Sequence, residues 1–308
     1  MHKSRCEGKF YEEKRFMKKK EIFRGAATAL VTPFSNGEID YDSLFRLIDY
    51  QINAGIDAIV IGGTTGEAAT LSDEERYRLF EASAERVGGR TKLIFGTGTN
   101  DTRVAIAHTK YAEKVGCDGV LLVTPYYNKG TEPGIEKHYI SIAESTNLPI
   151  IVYNVPSRTG VNLGIDLLMR LSNQENIVGI KESSDSVDRL VSLACLKDRL
   201  KLYSGNDSQI FPTLALGGSG VISVLSNLMP REISQLCRLV LSGELDEARK
   251  IQFKLMPLIR AMFMETNPTP IKYAMSLRGM CNQEMRLPLS EPNESTKSEI
   301  RKLISSEE

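Results

Sequence analysis

Lys181 is the residue whose type and position most directly suggest chemistry. It follows Ile177-Val178-Gly179-Ile180, an apolar run typical of a wholly buried strand. A lysine in apolar surroundings loses solvation, so the pKa of its amine falls and the amine can attack a carbonyl carbon. Lys181 therefore fits an enzyme that forms an imine with its substrate. The alternative is that Lys181 only caps the strand and points to water.

Polar residues follow other apolar runs in the same way. The candidates for a shared site are Thr64 and Thr65 within a Gly-Gly-Thr-Thr-Gly-Glu run, Tyr126, Tyr127, Tyr153, Arg158, Gly205 and Ile222. Each alone has a simpler interpretation, since glycine-rich runs are often plain loops and tyrosines often only pack. Together they suit chemistry on a keto acid. The lysine would form the imine, a tyrosine would move protons, and hydroxyls, backbone amides and the arginine would bind carboxylates.

The elements that must position these residues alternate along most of the chain. Eight apolar runs, each followed by a helical pattern over about two hundred residues, have the rhythm of a (β/α)8 TIM barrel, an α/β fold. We predict this barrel over residues 21–243. A doubly wound open sheet fits less well, because no Gly-x-Gly-x-x-Gly turn follows the first strand. The predicted strands are residues 25–33, 57–62, 92–96, 119–124, 149–153, 177–181, 200–203 and 220–224.

The two ends of the chain have different patterns. After about residue 230 the pattern is helical only, and we assign residues 244–308 to a small C-terminal helical domain. Residues 1–20 are basic and polar, and we expect this N-terminal extension to be poorly ordered. Met17 is an alternative start of translation.

Composition argues against several classes of function. The 308 residues include 39 Lys+Arg and 39 Asp+Glu, so the formal net charge is zero, which does not favour a nucleic-acid partner or an anionic membrane surface. No apolar run approaches the length of a bilayer span. Five scattered cysteines and only three histidines argue against a disulfide framework, a metal site and a metal-dependent aldolase. The cysteine pattern favours the reducing cytoplasm.

Several motifs, in order along the chain, resemble the dihydrodipicolinate synthase / N-acetylneuraminate lyase family. The resemblance runs from about residue 23 to about residue 289, and it implies a barrel enzyme that forms a covalent imine with pyruvate and needs no cofactor. The motifs are Gly63-Thr64-Thr65-Gly66-Glu67, Thr124-Pro125-Tyr126-Tyr127-Asn128, Tyr153-Asn154-Val155-Pro156-Ser157-Arg158-Thr159-Gly160, Gly179-Ile180-Lys181-Glu182 and Asn267-Pro268-Thr269-Pro270.

Arg158 points to one branch of that family. The branch that condenses pyruvate with L-aspartate 4-semialdehyde, on the diaminopimelate route to lysine, carries an arginine at this position, whereas the sialic acid lyases usually lack it. The pair Tyr126-Tyr127 fits the same branch. Family members of this branch are usually homotetramers, built as a dimer of dimers.

The resemblance implies a role for each matching residue. Lys181 forms the imine and Tyr153 is the general acid and base. Thr64 links Tyr153 to Tyr127, which a neighbouring subunit supplies. The remaining residues bind substrate: Thr65 holds the pyruvate carboxylate, Arg158 holds the carboxylate of the semialdehyde, and Gly205 and Ile222 contribute backbone carbonyls near the lysine.

Two alternatives remain open. One is another pyruvate-dependent lyase of this family, which cleaves N-acetylneuraminate or a 2-keto-3-deoxy sugar acid. Arg158 argues against it, because a sugar acceptor needs hydroxyl partners rather than a cation. The other is a non-catalytic protein that binds a keto acid on the same barrel. The intact set of Lys181, Tyr153 and Thr64 argues against that.

The resemblance also implies a feedback site for lysine, and there the sequence departs from inhibitable members. Those members hold a glutamate at the position of Val104 and a histidine at that of Arg76. Here an apolar side chain and a fixed cation leave an ammonium ligand without its counter-charge. We therefore expect weak or absent inhibition by lysine, although Asp73 could substitute for the acid. The other matching positions are Ala68, Asn100 and Tyr126.

Overall fold

The strands close into a single parallel barrel. The computed structural model describes residues 19–305. Residues 1–18 of the predicted N-terminal extension lie outside this range, so its expected poor order stays a prediction. Each strand pairs with the next along the chain, and the eighth pairs with the first, so the predicted barrel is confirmed. The strands are β1 (Gly25–Ala29), β2 (Ala58–Ile61), β3 (Lys92–Gly96), β4 (Gly119–Val123), β5 (Ile150–Asn154), β6 (Ile177–Glu182), β7 (Lys201–Ser204) and β8 (Gly220–Ser223).

The first strand is shorter than the sequence predicts. It ends at Ala29, because the Val31 amide donates to the Asn227 side chain at 3.0 Å instead of continuing the ladder. Beyond it, Phe34–Ser35 and Glu38–Ile39 form a two-stranded hairpin that the sequence did not predict. The bounds of the other seven strands lie close to the prediction.

Helices surround the barrel and continue beyond its last strand. Capping residues start several of them, and Ser72 and Glu75 form a capping box at the start of α2. The helices are α1 (Tyr41–Asn53), α2 (Asp73–Val87), α3 (Thr102–Val115), α4 (Glu132–Ala143), α5 (Pro156–Thr159), α6 (Ile165–Leu171), α7 (Val187–Ala194), α8 (Ile210–Ala215), α9 (Pro230–Ser242), α10 (Leu245–Ala261), α11 (Thr269–Leu277) and α12 (Glu294–Ser305).

Strand residues alternate between two apolar clusters. Residues on the outer face of the barrel pack beneath the helices, whereas those on the inner face fill the barrel. The inner cluster makes the barrel a packed core with no pore, which leaves its mouth as the place for a site. Its members include Ala27, Val60, Ile94, Leu121, Ile151, Tyr153, Val178, Tyr203 and Ile222.

A buried ion pair ties the last helices to the barrel. The Lys272 ammonium, on α11, donates to Glu67 Oε1 at 2.5 Å and to the Glu284 carbonyl at 2.7 Å, and its side chain is fully buried. The second carboxylate oxygen of Glu67 accepts from the Arg286 amide at 3.1 Å. Glu67 lies in the loop after β2, so this pair fixes that loop against α11.

We predict that Lys272→Met destabilises the protein far more than the loss of an exposed ion pair. The change leaves the Glu67 carboxylate buried without its partner, which costs about 3–5 kcal/mol of the free energy of unfolding. Lys250→Met is the matched control, because its pair with Glu247 is largely exposed and solvent screening leaves such a pair little effect on stability. Urea unfolding of both variants measures the difference. Equal losses for both would contradict a special role for the buried pair.

Candidate active site

A β-bulge brings Lys181 to the inner face of the barrel. Val178 points inward, so regular alternation would point Lys181 outward. The pairing of β5 with β6 shifts at this point, since Ile150 pairs with Ile177 while Ile151 pairs with Gly179. The extra residue reverses the alternation, as bulges do. Lys181 consequently lies in register between two inward tyrosines, Tyr153 of β5 and Tyr203 of β7.

The Lys181 amine is buried in the barrel mouth, and its side chain is 5% exposed. Loss of solvation lowers the pKa of Lys181 below the ordinary value for a lysine. The charges of Tyr153 and Asp207 act in the opposite direction, and that of Arg158 lowers the pKa further. A larger fraction of the amine is therefore neutral at a given pH, which is the form that attacks carbonyl carbons.

Tyr153 lies against the amine. The Lys181 Nζ is 4.3 Å from the centre of the Tyr153 ring. The backbone of Tyr153 is fixed, because its carbonyl accepts from both the amide and the hydroxyl of Thr124, at 3.0 and 2.9 Å. A phenol held beside a buried amine is placed to exchange protons with groups bound to that amine.

Gly205 allows the chain after β7 to approach the lysine closely. A Cβ on Gly205 would lie 1.8 Å from Ser183 Oγ and 3.1 Å from Lys181 Cε, so a side chain would displace the lysine or its neighbour. The Gly205 amide donates to the Glu182 carbonyl at 2.7 Å. Ile222, on β8, is fully buried in the inner cluster of the barrel.

A cavity of about 600 Å³ opens above the lysine. Six of the candidate site residues line it: Lys181, Tyr153, Thr64, Thr65, Arg158 and Gly205. The Thr65 side chain is buried and its hydroxyl accepts from the Asn267 amide at 2.9 Å. The cavity therefore combines a buried amine, a phenol, hydroxyls and a cation, which is the set needed to bind and activate a small keto acid.

Arg158 lies on the rim of this cavity. It belongs to α5, a four-residue helix that begins at Pro156. Only Val155 separates this helix from the end of β5. Its Nη2 donates to the main-chain carbonyl of Asn267 at 2.8 Å, which orients the guanidinium and leaves its other donors for a ligand. An arginine so placed can bind a carboxylate in a bidentate manner.

Tyr127 is apart from the other candidates. Its side chain is 91% exposed and its φ is 68°, in the left-handed region that a tyrosine seldom adopts. Within residues 19–305, the residues that line the cavity above Lys181 do not include Tyr127. The proposed link from Thr64 to Tyr127 thus does not form within one chain.

A second cavity of about 480 Å³ adjoins the first. Arg76 is buried there, and its guanidinium donates to the carbonyls of Ala68 at 2.7 Å and Gly96 at 3.4 Å. Asp73 is 2.8 Å from the His108 ring, so the acid is already engaged by a residue of this chain. Val104 and Tyr126 also line the cavity. Weak inhibition by lysine stays a prediction.

Neither a metal centre nor a bilayer span occurs in the part of the chain that the structure describes. Among residues 19–305, no three His, Cys, Asp or Glu side chains cluster in a way that could hold a metal ion. None of the helices in that range has both the length and the apolar character needed to cross a bilayer.

Comparison with known proteins agrees with this site. The chain matches the Dihydrodipicolinate synthetase family over residues 22–307. The chain belongs to that family. A 4-hydroxy-tetrahydrodipicolinate synthase of Thermotoga neapolitana is 49% identical over 280 residues, which cover 89% of this chain and 95% of the relative. The enzyme of the same name from Acetivibrio thermocellus is 47% identical over 277 residues, covering 90% of this chain and 94% of the relative.

Solved structures of the family have the same fold. The dihydrodipicolinate synthase of Thermotoga maritima superposes with a TM-score of 0.91 at 44% identity, covering 93% of this chain and 99% of that one. The family resemblance that the motifs suggested is thereby confirmed, together with the barrel and its C-terminal helices.

The structure adds a buried carboxylate for which the sequence motifs predict no role. Asp207, after β7, is 1% exposed and lines the cavity above Lys181. Its Oδ2 accepts from the amides of Val224 and Leu225 at 3.1 and 2.9 Å. Burial raises the pKa of Asp207, and the nearby Lys181 charge opposes this. The sequence offers one indication that Asp207 belongs to the site, which is its position two residues after Gly205. An aspartate in a loop does not by itself indicate burial.

We predict that Asp207→Asn moves imine formation to lower pH. Asparagine keeps an oxygen for the Val224 and Leu225 amides but removes the negative charge that favours the protonated Lys181. The pKa of Lys181 then falls, so the rate of borohydride labelling with pyruvate reaches half its maximum at a lower pH. Asp57→Asn, at the opposite end of the barrel, is the control and leaves the curve unchanged. An unshifted curve for Asp207→Asn would show that this carboxylate does not act on the amine.

Proposed function

We propose that the chain is a lyase that condenses pyruvate with L-aspartate 4-semialdehyde to 4-hydroxy-tetrahydrodipicolinate, the compound after which its relatives are named. One observation carries the assignment to a covalent mechanism. The buried Lys181 amine has a lowered pKa and lies 4.3 Å from the Tyr153 ring, in a cavity that also holds hydroxyls and a guanidinium. A buried amine with these neighbours fits imine chemistry on a keto acid.

The first stage joins pyruvate to Lys181. The neutral amine attacks the ketone carbon, and the resulting carbinolamine loses water to give the imine. Tyr153 supplies the proton that the departing hydroxyl needs and takes up one from the nitrogen. Thr65 and the amides of its loop hold the pyruvate carboxylate. The reaction needs no cofactor, because the protonated imine itself withdraws electrons from the neighbouring methyl group.

The second stage forms the carbon–carbon bond. Loss of a proton from the methyl group gives an enamine, which attacks the aldehyde carbon of the semialdehyde, and the new alkoxide takes up a proton. The amino group of the semialdehyde then attacks the imine carbon, which closes the ring and releases Lys181. Arg158 binds the semialdehyde carboxylate, and Gly205 and Ile222 flank the lysine with backbone carbonyls.

Tyr127 completes the site from a neighbouring subunit in this proposal. Through Thr64 it would connect Tyr153 to solvent as a proton relay. The 91% exposure of Tyr127 supports a role outside its own chain. The active form is then at least a dimer, and we propose a homotetramer built as a dimer of dimers, acting in the cytoplasm in lysine biosynthesis.

We predict that pyruvate and borohydride add an irreversible mass to the protein and none to Lys181→Ala. The same preparation consumes pyruvate with aspartate 4-semialdehyde and not with N-acetylmannosamine, because the cation Arg158 suits a carboxylate. Mass spectrometry and a pyruvate assay measure the two results. Turnover with the sugar alone would keep the imine but reassign the acceptor. A wild-type protein that gains no mass would contradict the covalent mechanism.

We predict that two nearly inactive variants restore activity when they share an oligomer. Tyr127→Phe removes a proton-relay group and lowers kcat by roughly a hundredfold. When it is co-expressed with Lys181→Ala, a mixed dimer contains one site with both residues intact, so random pairing gives about a quarter of the wild-type activity.

The same co-expression distinguishes a relay across subunits from a relay within one chain. If Tyr127 acted within its own chain, every site of a mixed dimer would lack either Tyr127 or Lys181. The two purified variants, mixed without subunit exchange, stay as inactive as they are alone. Co-expressed protein with no more activity than its parents would show that Tyr127 does not act across subunits.

A further inference from the structure

Asn267 contacts both of the groups that would bind substrate carboxylates. It lies between α10 and α11 and is 6% exposed. Its side-chain Nδ2 donates to Thr65 Oγ1 at 2.9 Å, while its main-chain carbonyl accepts from Arg158 Nη2 at 2.8 Å. The sequence singled out the Asn-Pro-Thr-Pro motif but assigned it no role.

The hydrogen bond to Thr65 has a direction. Because the amide nitrogen donates, the Thr65 oxygen acts as the acceptor and its own proton is left to donate elsewhere. Among the described residues, no acceptor bonds that proton. Thr65 is 3% exposed and lines the cavity above Lys181, so the remaining direction for the proton is toward a bound ligand. A hydroxyl fixed in this way is a preorganised donor for a carboxylate oxygen.

We propose that Asn267 is a positioning residue, which orients the Thr65 hydroxyl so that it donates to the carboxylate of the keto acid bound at Lys181. The inference deepens the proposed function and rests on it. It assigns the C-terminal segment a part in recognising pyruvate.

The anchoring of Asn267 and Thr65 supports this role. The Pro268 carbonyl accepts from the Lys272 amide at 3.0 Å, and the Lys272 ammonium holds Glu67, two residues after Thr65. The Gly66 carbonyl between them accepts from the Thr32 hydroxyl at 2.7 Å. The Asn267 amide and the Thr65 hydroxyl therefore lie on two segments that are fixed to each other. The amide holds its position, so it constrains the rotation of the hydroxyl.

The two contacts of Asn267 are separable by mutation. A side-chain change removes the donor to Thr65 but keeps the main-chain carbonyl that accepts from Arg158. A positioning role through Thr65 therefore affects pyruvate and spares the semialdehyde. A purely structural role would affect both substrates together.

The test is the pyruvate concentration that gives half-maximal borohydride labelling of Lys181, together with KM for both substrates. For Asn267→Ala we expect the pyruvate values to rise about tenfold, the size expected for losing one oriented hydrogen bond. The KM for the semialdehyde changes less than about threefold. Asn267→Asp has the same shape but lacks the amide donor, so the Thr65 hydroxyl turns toward it and the pyruvate values rise more than for alanine.

Thr65→Val supplies the decisive comparison. If Asn267 acts through the Thr65 hydroxyl, Asn267→Asp raises the pyruvate values in the wild-type background and has no further effect in the Thr65→Val background. An equal effect in both backgrounds, or unchanged pyruvate values in a folded Asn267→Asp protein, would overturn the inference. Failure of the wild type to label with pyruvate would instead overturn the proposed function. Thermal unfolding shows whether each variant is folded. If Asn267→Ala does not fold, the result for Asn267→Asp decides the test.

Discussion

Burying one amine at the mouth of a barrel constrains everything around it. The strands on either side of Lys181 are apolar, so the amine loses solvation and its pKa falls. Two carboxylates are near Lys181: Glu182 is the next residue in the chain, and Asp207 lines the same cavity. They differ in the groups that bind them. Glu182 is held by Asn154 and by Arg189, at 2.9 Å each, which neutralises it. Asp207 is held by the backbone amides of Val224 and Leu225 and by the Ser223 side chain, and its charge acts on Lys181. The balance of charge on the amine thus depends on Asp207 more than on Glu182.

The C-terminal helices form part of the site, although the sequence predicts only a small separate helical domain there. Asn267 orients Thr65 and Arg158, and Lys272 fixes the loop that carries Thr65 through Glu67. Residues of α10 and of the segment after it also line the cavity above the lysine. Changes in these helices can therefore alter substrate binding with no change in the barrel strands.

Local patterns in the sequence predicted the barrel because its strands are short apolar runs separated by helical periodicity. The same patterns placed Lys181, Tyr153 and Arg158 after successive strands, where a barrel brings them together. The β-bulge that turns Lys181 inward leaves no local signal in the sequence. Gly179 is the residue at the bulge, but glycine also occurs in regular strands. The bond from Asn267 to Thr65 spans 202 positions of the chain, and no periodicity reports a pairing of that length. The burial of Asp207 likewise depends on Val224 and Leu225, which follow the next strand.

Tyr127 combines a left-handed backbone conformation with an almost fully exposed side chain. A tyrosine at φ 68° carries backbone strain of order 1 kcal/mol, and a side chain that is 91% exposed gains little from burial to offset it. Strain of this kind persists where another contact compensates for it. The cavity above Lys181 holds Thr64 and Tyr153 but not the residue that would connect them to solvent. A neighbouring subunit that receives Tyr127 would account for the strain, the exposure and the missing connection together.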